Sequence, residues 1–193
     1  MSLKVLAGAL KGRSLKAPTG PFSRPTTSLL RKAVFDICQA KIAEARFLDL
    51  FACSGAMGIE AISRGASHAT FVEKDRKTAR GLQENLRSLG IGESSLVLCQ
   101  DVFSLIPTLK SAPYDIIYID PPYQLVTHSK KLFLELLSIL DQSKLLAPEA
   151  LVFIEEGCPG NFTPADFSFT HLHLKDTRRL SAAILHQLFF TNI

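Results

Sequence analysis

From Arg46 onward, short apolar runs alternate with segments whose apolar residues recur every three to four positions. The runs at 46–51, 69–73, 95–99, 114–119 and 150–155 predict buried strands, and the periodic segments Met57 to Arg64, Arg76 to Leu89, Val102 to Leu109 and His128 to Leu140 predict helices. That alternation is the pattern of a mostly parallel sheet covered by helices on both faces. The end of the chain differs, because Phe167 to Leu174 and Ala182 to Phe190 are strand-like runs with no helix between them. They predict an antiparallel pair at a sheet edge. The expected fold is α/β: a seven-stranded, mostly parallel sheet with helices on both faces and an antiparallel C-terminal hairpin.

Before residue 44 the texture is different. Short apolar pieces broken by Gly8 and Gly12 predict a small hairpin, and Thr26, Thr27 or Ser28 can cap a helix from Leu29 to about Ala40 with Leu30, Val34, Ile37 and Cys38 on its apolar stripe. The expected organisation is a basic hairpin and helix over 1–44, followed by one α/β domain over 45–193. With 193 residues, 47% of them hydrophobic and 21% charged, the chain can bury a full core without disulfides or a structural metal. No apolar run approaches the ~20 residues that span a bilayer, and no secretory signal opens the chain. A cytoplasmic monomer is expected.

Charge adds a functional hint. The formal net charge is only +4, yet Met1 to Arg46 holds nine basic residues against Asp36 and Glu44. The rest of the chain is net acidic, and the first 35 residues contain no acid at all. A cationic segment of this kind suits a phosphate backbone. Cys38, Cys53, Cys99 and Cys158 form no CxxC pair or dense framework, and all four read as reduced. His171 and His173 share one face of an alternating stretch without cysteine or carboxylate company, which reads as a solvated pair; no metal is expected.

Two motifs carry chemistry. Phe47-Leu-Asp-Leu-Phe-Ala-Cys-Ser-Gly-Ala-Met-Gly is a strand running into a glycine-containing turn and a helix, the context of a nucleoside-cofactor site. Gly55 and Gly58 allow close backbone approach and tight helix packing. Cys53 stands where a dinucleotide fingerprint has its first glycine, and the carboxylate of Asp49 would repel a pyrophosphate but pair with a cationic amino or sulfonium group. Glu73, about 20 residues beyond the turn, is placed for ribose hydroxyls, and Asp101 for an adenine amino group. Asp75 reads as a helix cap.

The second motif, Ile119-Asp-Pro-Pro-Tyr, closes the fourth predicted strand at the carboxyl edge where ligands bind in open α/β sheets. An exocyclic amine needs acceptors for its two hydrogens, and Asp120 with the Pro121 carbonyl can supply them. Consecutive prolines hold the loop extended, and Tyr123 can stack on a base. An amine so held directs its lone pair at an electrophilic methyl group, so positioning supplies most of the rate.

Together the motifs resemble the class I S-adenosylmethionine-dependent methyltransferases, which have a Rossmann-like fold. More closely, LKGRSLKAP, the Arg24-Pro-Thr-Thr block before Arg31, DLFACSGAMGIEAISRGA, FVEKD and DPPY occur in the order of the bacterial RsmD family, over about Leu3 to Ile154. That resemblance implies guanine-N2 methylation of small-subunit (16S) ribosomal RNA, within the assembled or assembling 30S subunit. By it, Asp49, Phe51, Ser54, Gly55, Gly58, Glu73, Asp101 and Val102 would bind S-adenosyl-L-methionine, Asp120, Pro121 and Tyr123 would hold the guanine, and Arg13, Arg24, Thr26 and Arg31 would contact RNA. The chain departs from the family pattern at Cys53, usually glycine, at Lys32, usually Glu, and at Asp36, usually Asn.

Three other readings are weighed against this one. An N6-adenine DNA methyltransferase would use DPPY equally well but usually carries a target-recognition region, and none is visible here. An NAD-dependent oxidoreductase would want the missing glycine and has no use for DPPY. A non-catalytic RNA-binding or ribosome-assembly protein rests on the basic arm alone.

Overall fold

A computed structural model describes residues 3–17, 27–122 and 128–191. The chain forms two compact units, Met1–Val102 and Phe103–Ile193.

In the first unit, β1 (Leu3–Lys4) and β2 (Ser14–Leu15) make the expected hairpin, with Leu3 opposite Leu15. Helix α1 (Ser28–Ile37) starts where Thr27 accepts the Leu30 amide, and it buries Leu30, Val34 and Phe35. Three parallel strands follow, β3 (Arg46–Leu50), β4 (His68–Val72) and β5 (Ser95–Leu98), in the order β5-β4-β3. Between them run α2 (Ala56–Ser63) and α3 (Arg76–Leu89). The latter is capped by Asp75 as expected, ends at Gly90 with φ +73°, and buries Ala79, Leu82, Leu86 and Leu89 on one stripe. The short helix α4 (Val102–Leu105) leads in sequence to the second unit.

The second unit comprises β6 (Tyr114–Ile119), α5 (Lys130–Asp141), β7 (Leu146–Gly157), β8 (Leu172–Leu180) and β9 (Ala183–Phe190). Strand β6 pairs with β7 in parallel, β9 pairs with β7 antiparallel, and β8 lies outside β9. The predicted Phe167 to Leu174 strand is displaced: β8 starts at Leu172 and runs through Lys175, Asp176, Arg178 and Arg179. Two causes act. The buried carboxylate of Asp141 takes the amides of Thr170, His171 and Leu172 and so anchors the start of the strand. The charged stretch is tolerated because β8 is an edge strand with a solvated side, whereas Phe167 is buried from a 3-10 turn at Pro164–Phe167. Seven strands of the expected kinds are therefore present, five in the parallel βα pattern and two in the C-terminal hairpin. No described helix is long and apolar enough to cross a membrane.

The N-terminal hairpin is tied inward by a carboxylate that the sequence reading passed over. Glu60, fully buried in the apolar helix α2, accepts the Leu6 amide at 2.7 Å, the Ala7 amide at 2.9 Å and Arg64 Nε at 2.9 Å. Arg31 stands 3.9 Å from the same carboxylate and donates to the Lys4 carbonyl at 3.0 Å. Ser63 adds bonds to the Leu10 amide and the Ala7 carbonyl. Removing the carboxylate leaves two backbone amides without an acceptor and a buried guanidinium without its counter-charge, so Glu60→Ala should destabilise the protein by about 3–5 kcal/mol. Urea unfolding at neutral pH measures this, and a loss below about 1 kcal/mol would show that water replaces the carboxylate without penalty.

Candidate cofactor and amine site

Five of the predicted cofactor residues, Asp49, Phe51, Ser54, Gly55 and Gly58, lie in or beside the turn after β3. Strand β3 ends at Leu50, and Phe51 and Cys53 both take left-handed backbone angles, φ +63° and +51°. Such angles favour glycine, so two residues with side chains hold a strained turn here. Two carboxylates brace it. Glu73, just past β4, accepts the Cys53 amide at 2.9 Å through Oε2 and the Asp75 amide at 2.8 Å through Oε1. Asp49, 2% exposed, accepts the Gly58 amide at 3.0 Å. Helix α2 begins at Gly55, which has no side chain to cap it, so Asp49 reaches over from β3 to satisfy one of the free amides of the first turn.

Gly55 and Gly58 are required for packing. A Cβ on Gly58 would stand 2.3 Å from the Phe71 ring, and one on Gly55, at φ +76°, 2.2 Å from Leu82. Ser54 is buried, and its carbonyl accepts from Asn85 Nδ2 at 3.2 Å. Asn85 also exchanges hydrogen bonds with the backbone of Lys16, so it links the hairpin to the turn. The sequence carried a signal for Asn85, a lone amide among Leu82, Leu86 and Leu89 on the apolar stripe of α3. Lys74, exposed and next to Glu73 in sequence, pairs with the half-buried Asp101 at 2.8 Å, and Val102 is buried.

The structure thus brings Asp49, Ser54, Gly55, Gly58 and Glu73 together around one turn. Asp120 and Pro121 lie in the second unit, directly after β6, with Asp120 partly exposed and Pro121 buried. Tyr123, Arg24 and Thr26 lie outside the described residues. Arg13 is exposed, and its guanidinium donates to the Ser88 carbonyl at the end of α3. Arg31 requires a correction. Its side chain is 3% exposed and engaged with Glu60 and the Lys4 carbonyl, so it is an internal tie and no RNA contact. Lys32 and Asp36, the two departures in α1, pair with each other at 2.6 Å on its exposed face. None of the four cysteines forms a disulfide, and burial pushes Cys38 up to about 12, which removes it as a nucleophile.

Burial also pushes the Asp49 carboxyl up to about 8, partly offset by the Gly58 amide and reinforced by the nearby charge of Glu73. The donor set fits a cationic nucleoside cofactor, because an ammonium or sulfonium beside Asp49 would restore its ionised form. In the ligand-free protein the sign is fixed. The folded state holds the Asp49 proton between pH 3.8 and about 8 while the unfolded state does not, so this group's stabilisation is complete at low pH and lost as pH rises through about 8. Asp49→Asn should therefore gain stability relative to the unaltered protein between pH 5 and pH 9, read from unfolding midpoints; a constant difference across that range would mean that Asp49 is ionised throughout.

The family described as conserved hypothetical protein 95 matches residues 3–181. The ribosomal RNA small subunit methyltransferase D of Escherichia coli K12 is 35% identical over 153 residues, covering 79% of this chain and 74% of that protein. Among solved structures, the yhhF protein of Escherichia coli superimposes with a TM-score of 0.82 at 26% identity over 99% of both chains. The hypothetical protein TTHA0928 of Thermus thermophilus does so with a TM-score of 0.75 at 30% identity, over 98% of this chain and 99% of that one. A match of this extent, on a class I Rossmann-like sheet with its C-terminal hairpin, means that the chain belongs to the RsmD family of methyltransferases.

Proposed function

We propose that this protein transfers a methyl group from S-adenosyl-L-methionine to the exocyclic N2 amine of a guanine in 16S ribosomal RNA, within the assembled or assembling 30S subunit. The observation that carries the reading is the braced turn after β3, where Asp49 and Glu73 flank the start of α2, in a chain of the RsmD family. The cofactor supplies an electrophilic methyl group when bound. Asp49 would face its cationic methionine end, Phe51, Ser54, Gly55 and Gly58 would form the turn around it, Glu73 would accept from the ribose hydroxyls, and Asp101 and Val102 would border the adenine.

Asp120 and the Pro121 carbonyl would accept the two hydrogens of the target amine, with Tyr123 stacked on the base. The residue before a proline is held extended, so the Asp120 carboxylate is pre-set in direction. Holding the amine this way would leave its lone pair free for the methyl group that the cofactor supplies, and the Asp120 carboxylate would accept the proton released on transfer. A base must leave its stack to enter such a pocket, which costs a few kcal/mol. Cationic residues of the N-terminal segment, among them Arg13 and Arg24, together with Thr26, would offset part of that through phosphate contacts.

Transfer of labelled methyl groups to small subunits and to naked 16S RNA that lack the modification should yield N2-methylguanosine after nuclease digestion. N6-methyladenosine would redirect the reading to adenine. Asp120→Ala should lower transfer by about a thousandfold or more while cofactor affinity stays within about twofold; undiminished transfer would remove Asp120 from the mechanism. Neutralising Arg13 and Arg24 together should flatten the dependence of RNA affinity on salt by a slope of about two, and an unchanged slope would exclude the arm from phosphate binding.

A further inference from the structure

Two adjacent acids close β7, and they do different things. Glu156 faces one side of the sheet, where its carboxylate takes the amides of Asn161 and Phe162 and the His186 ring at 2.7 Å. Burial works against its ionisation, but the His186 bond and these amides hold its carboxyl below the usual range. Every part of that arrangement is structural. Glu155 faces the opposite side, and among the described residues its hydrogen-bond partner is the Tyr118 hydroxyl, which donates to Oε2. Tyr118 is 1% exposed, whereas Glu155 is only partly covered. A carboxylate left this way at the carboxyl end of a strand, with one oxygen oriented by a buried tyrosine, has acceptor capacity to spare.

Its place in the sheet says what it faces. In the β6–β7 register Tyr118 pairs with Phe153 and Ile119 with Ile154. Continued by one residue past the end of β6, that register sets Asp120 opposite Glu155. Asp120 precedes Pro121 and so continues the extended backbone, and side chains alternate along a strand. Asp120 therefore shares a face with Tyr118, and Glu155 shares it one strand over, about 4.8 Å away in the hydrogen-bonding direction. Two carboxylates side by side suit a ligand that offers two adjacent donors. The Watson–Crick edge of guanine does so with N1–H and the N2 amine, whereas adenine offers an amine beside a bare N1 acceptor that a carboxylate repels.

We propose that Glu155 selects guanine: it accepts the N1–H of the target base while Asp120 accepts from the adjacent N2 amine, and the Tyr118 hydroxyl fixes its orientation. The inference rests on the reading of Asp120 as the amine acceptor. Burial raises the Glu155 carboxyl and the Tyr118 bond opposes that rise, so the tyrosine also helps to keep the acceptor form.

The test replaces the target guanosine in small-subunit RNA by 2-aminopurine riboside, which keeps the 2-amine but has no hydrogen on N1. The unaltered protein should methylate guanine more efficiently in kcat/KM, by about tenfold to a hundredfold, the worth of one hydrogen bond to a charged group. Glu155→Gln can still accept from Tyr118 but presents an amide donor, so it should lose activity on guanine and reduce the guanine to 2-aminopurine ratio by about tenfold or more. That ratio is internal to each variant and is independent of how much protein is folded. An unchanged ratio in the variant, with N2-methylguanosine still formed by the unaltered protein, would overturn the role of Glu155 and leave the proposed function standing. If the unaltered protein forms no N2-methylguanosine, the proposed function fails first and the selection argument falls with it. Tyr118→Phe, which removes only the positioning bond, should lower kcat on guanine while the preference for guanine persists; an unchanged kcat would take Tyr118 out of the scheme.

Discussion

A backbone amide buried without an acceptor is expensive, and this protein meets that constraint with carboxylates carried on regular elements. Asp49 on β3 satisfies the first turn of α2, Glu73 holds the Cys53 amide, Glu60 holds two amides of the N-terminal hairpin, and Asp141 collects three amides at the start of β8. The irregular segments are thereby held in place, and the turn after β3 and the N-terminal hairpin are the ones that the proposed function uses. The left-handed angles at Phe51 and Cys53 persist because the surrounding structure over-determines them.

The same device links stability to function. Asp49 is costly to ionise in its ligand-free surroundings, so a cationic cofactor would have to offset that cost, and its binding would release the Asp49 proton. The carboxylate that caps α2 is then also the one that would recognise charge, and the turn would be both a folding element and a binding element. Glycine has a related double meaning at 55 and 58. Both sites lie close to the proposed ligand, yet what forbids a side chain there is the contact of α2 with Phe71 and Leu82.

Much of the fold was legible in the chain because its strongest signals are local. The apolar runs of β3 to β7, the stripe of α3, the caps Thr27 and Asp75 and the turn glycines act within a few residues of themselves. The displaced start of β8 shows the limit. A run ending in Lys175, Asp176, Arg178 and Arg179 looks unlike a strand until it is known to lie at an edge, and its start depends on Asp141, some thirty residues away. Arg31 misled for the same reason, since a basic residue in a basic segment reads as surface until Glu60 is found beside it.

By itself the sequence determined the order of elements, the class of the sheet, the glycine turn and the acidic residues at its margin, because hydrophobic period, capping and turn chemistry are properties of neighbouring residues. Only the tertiary structure decided which polar groups are spent internally and which remain for a ligand. Glu60 and Arg31 neutralise each other inside the first unit, Glu156 is consumed by His186 and two amides, and Glu155, its neighbour in sequence, is turned to the opposite face beside Tyr118. Those assignments rest on contacts between residues far apart in the chain, and a pattern of neighbours carries no information about them.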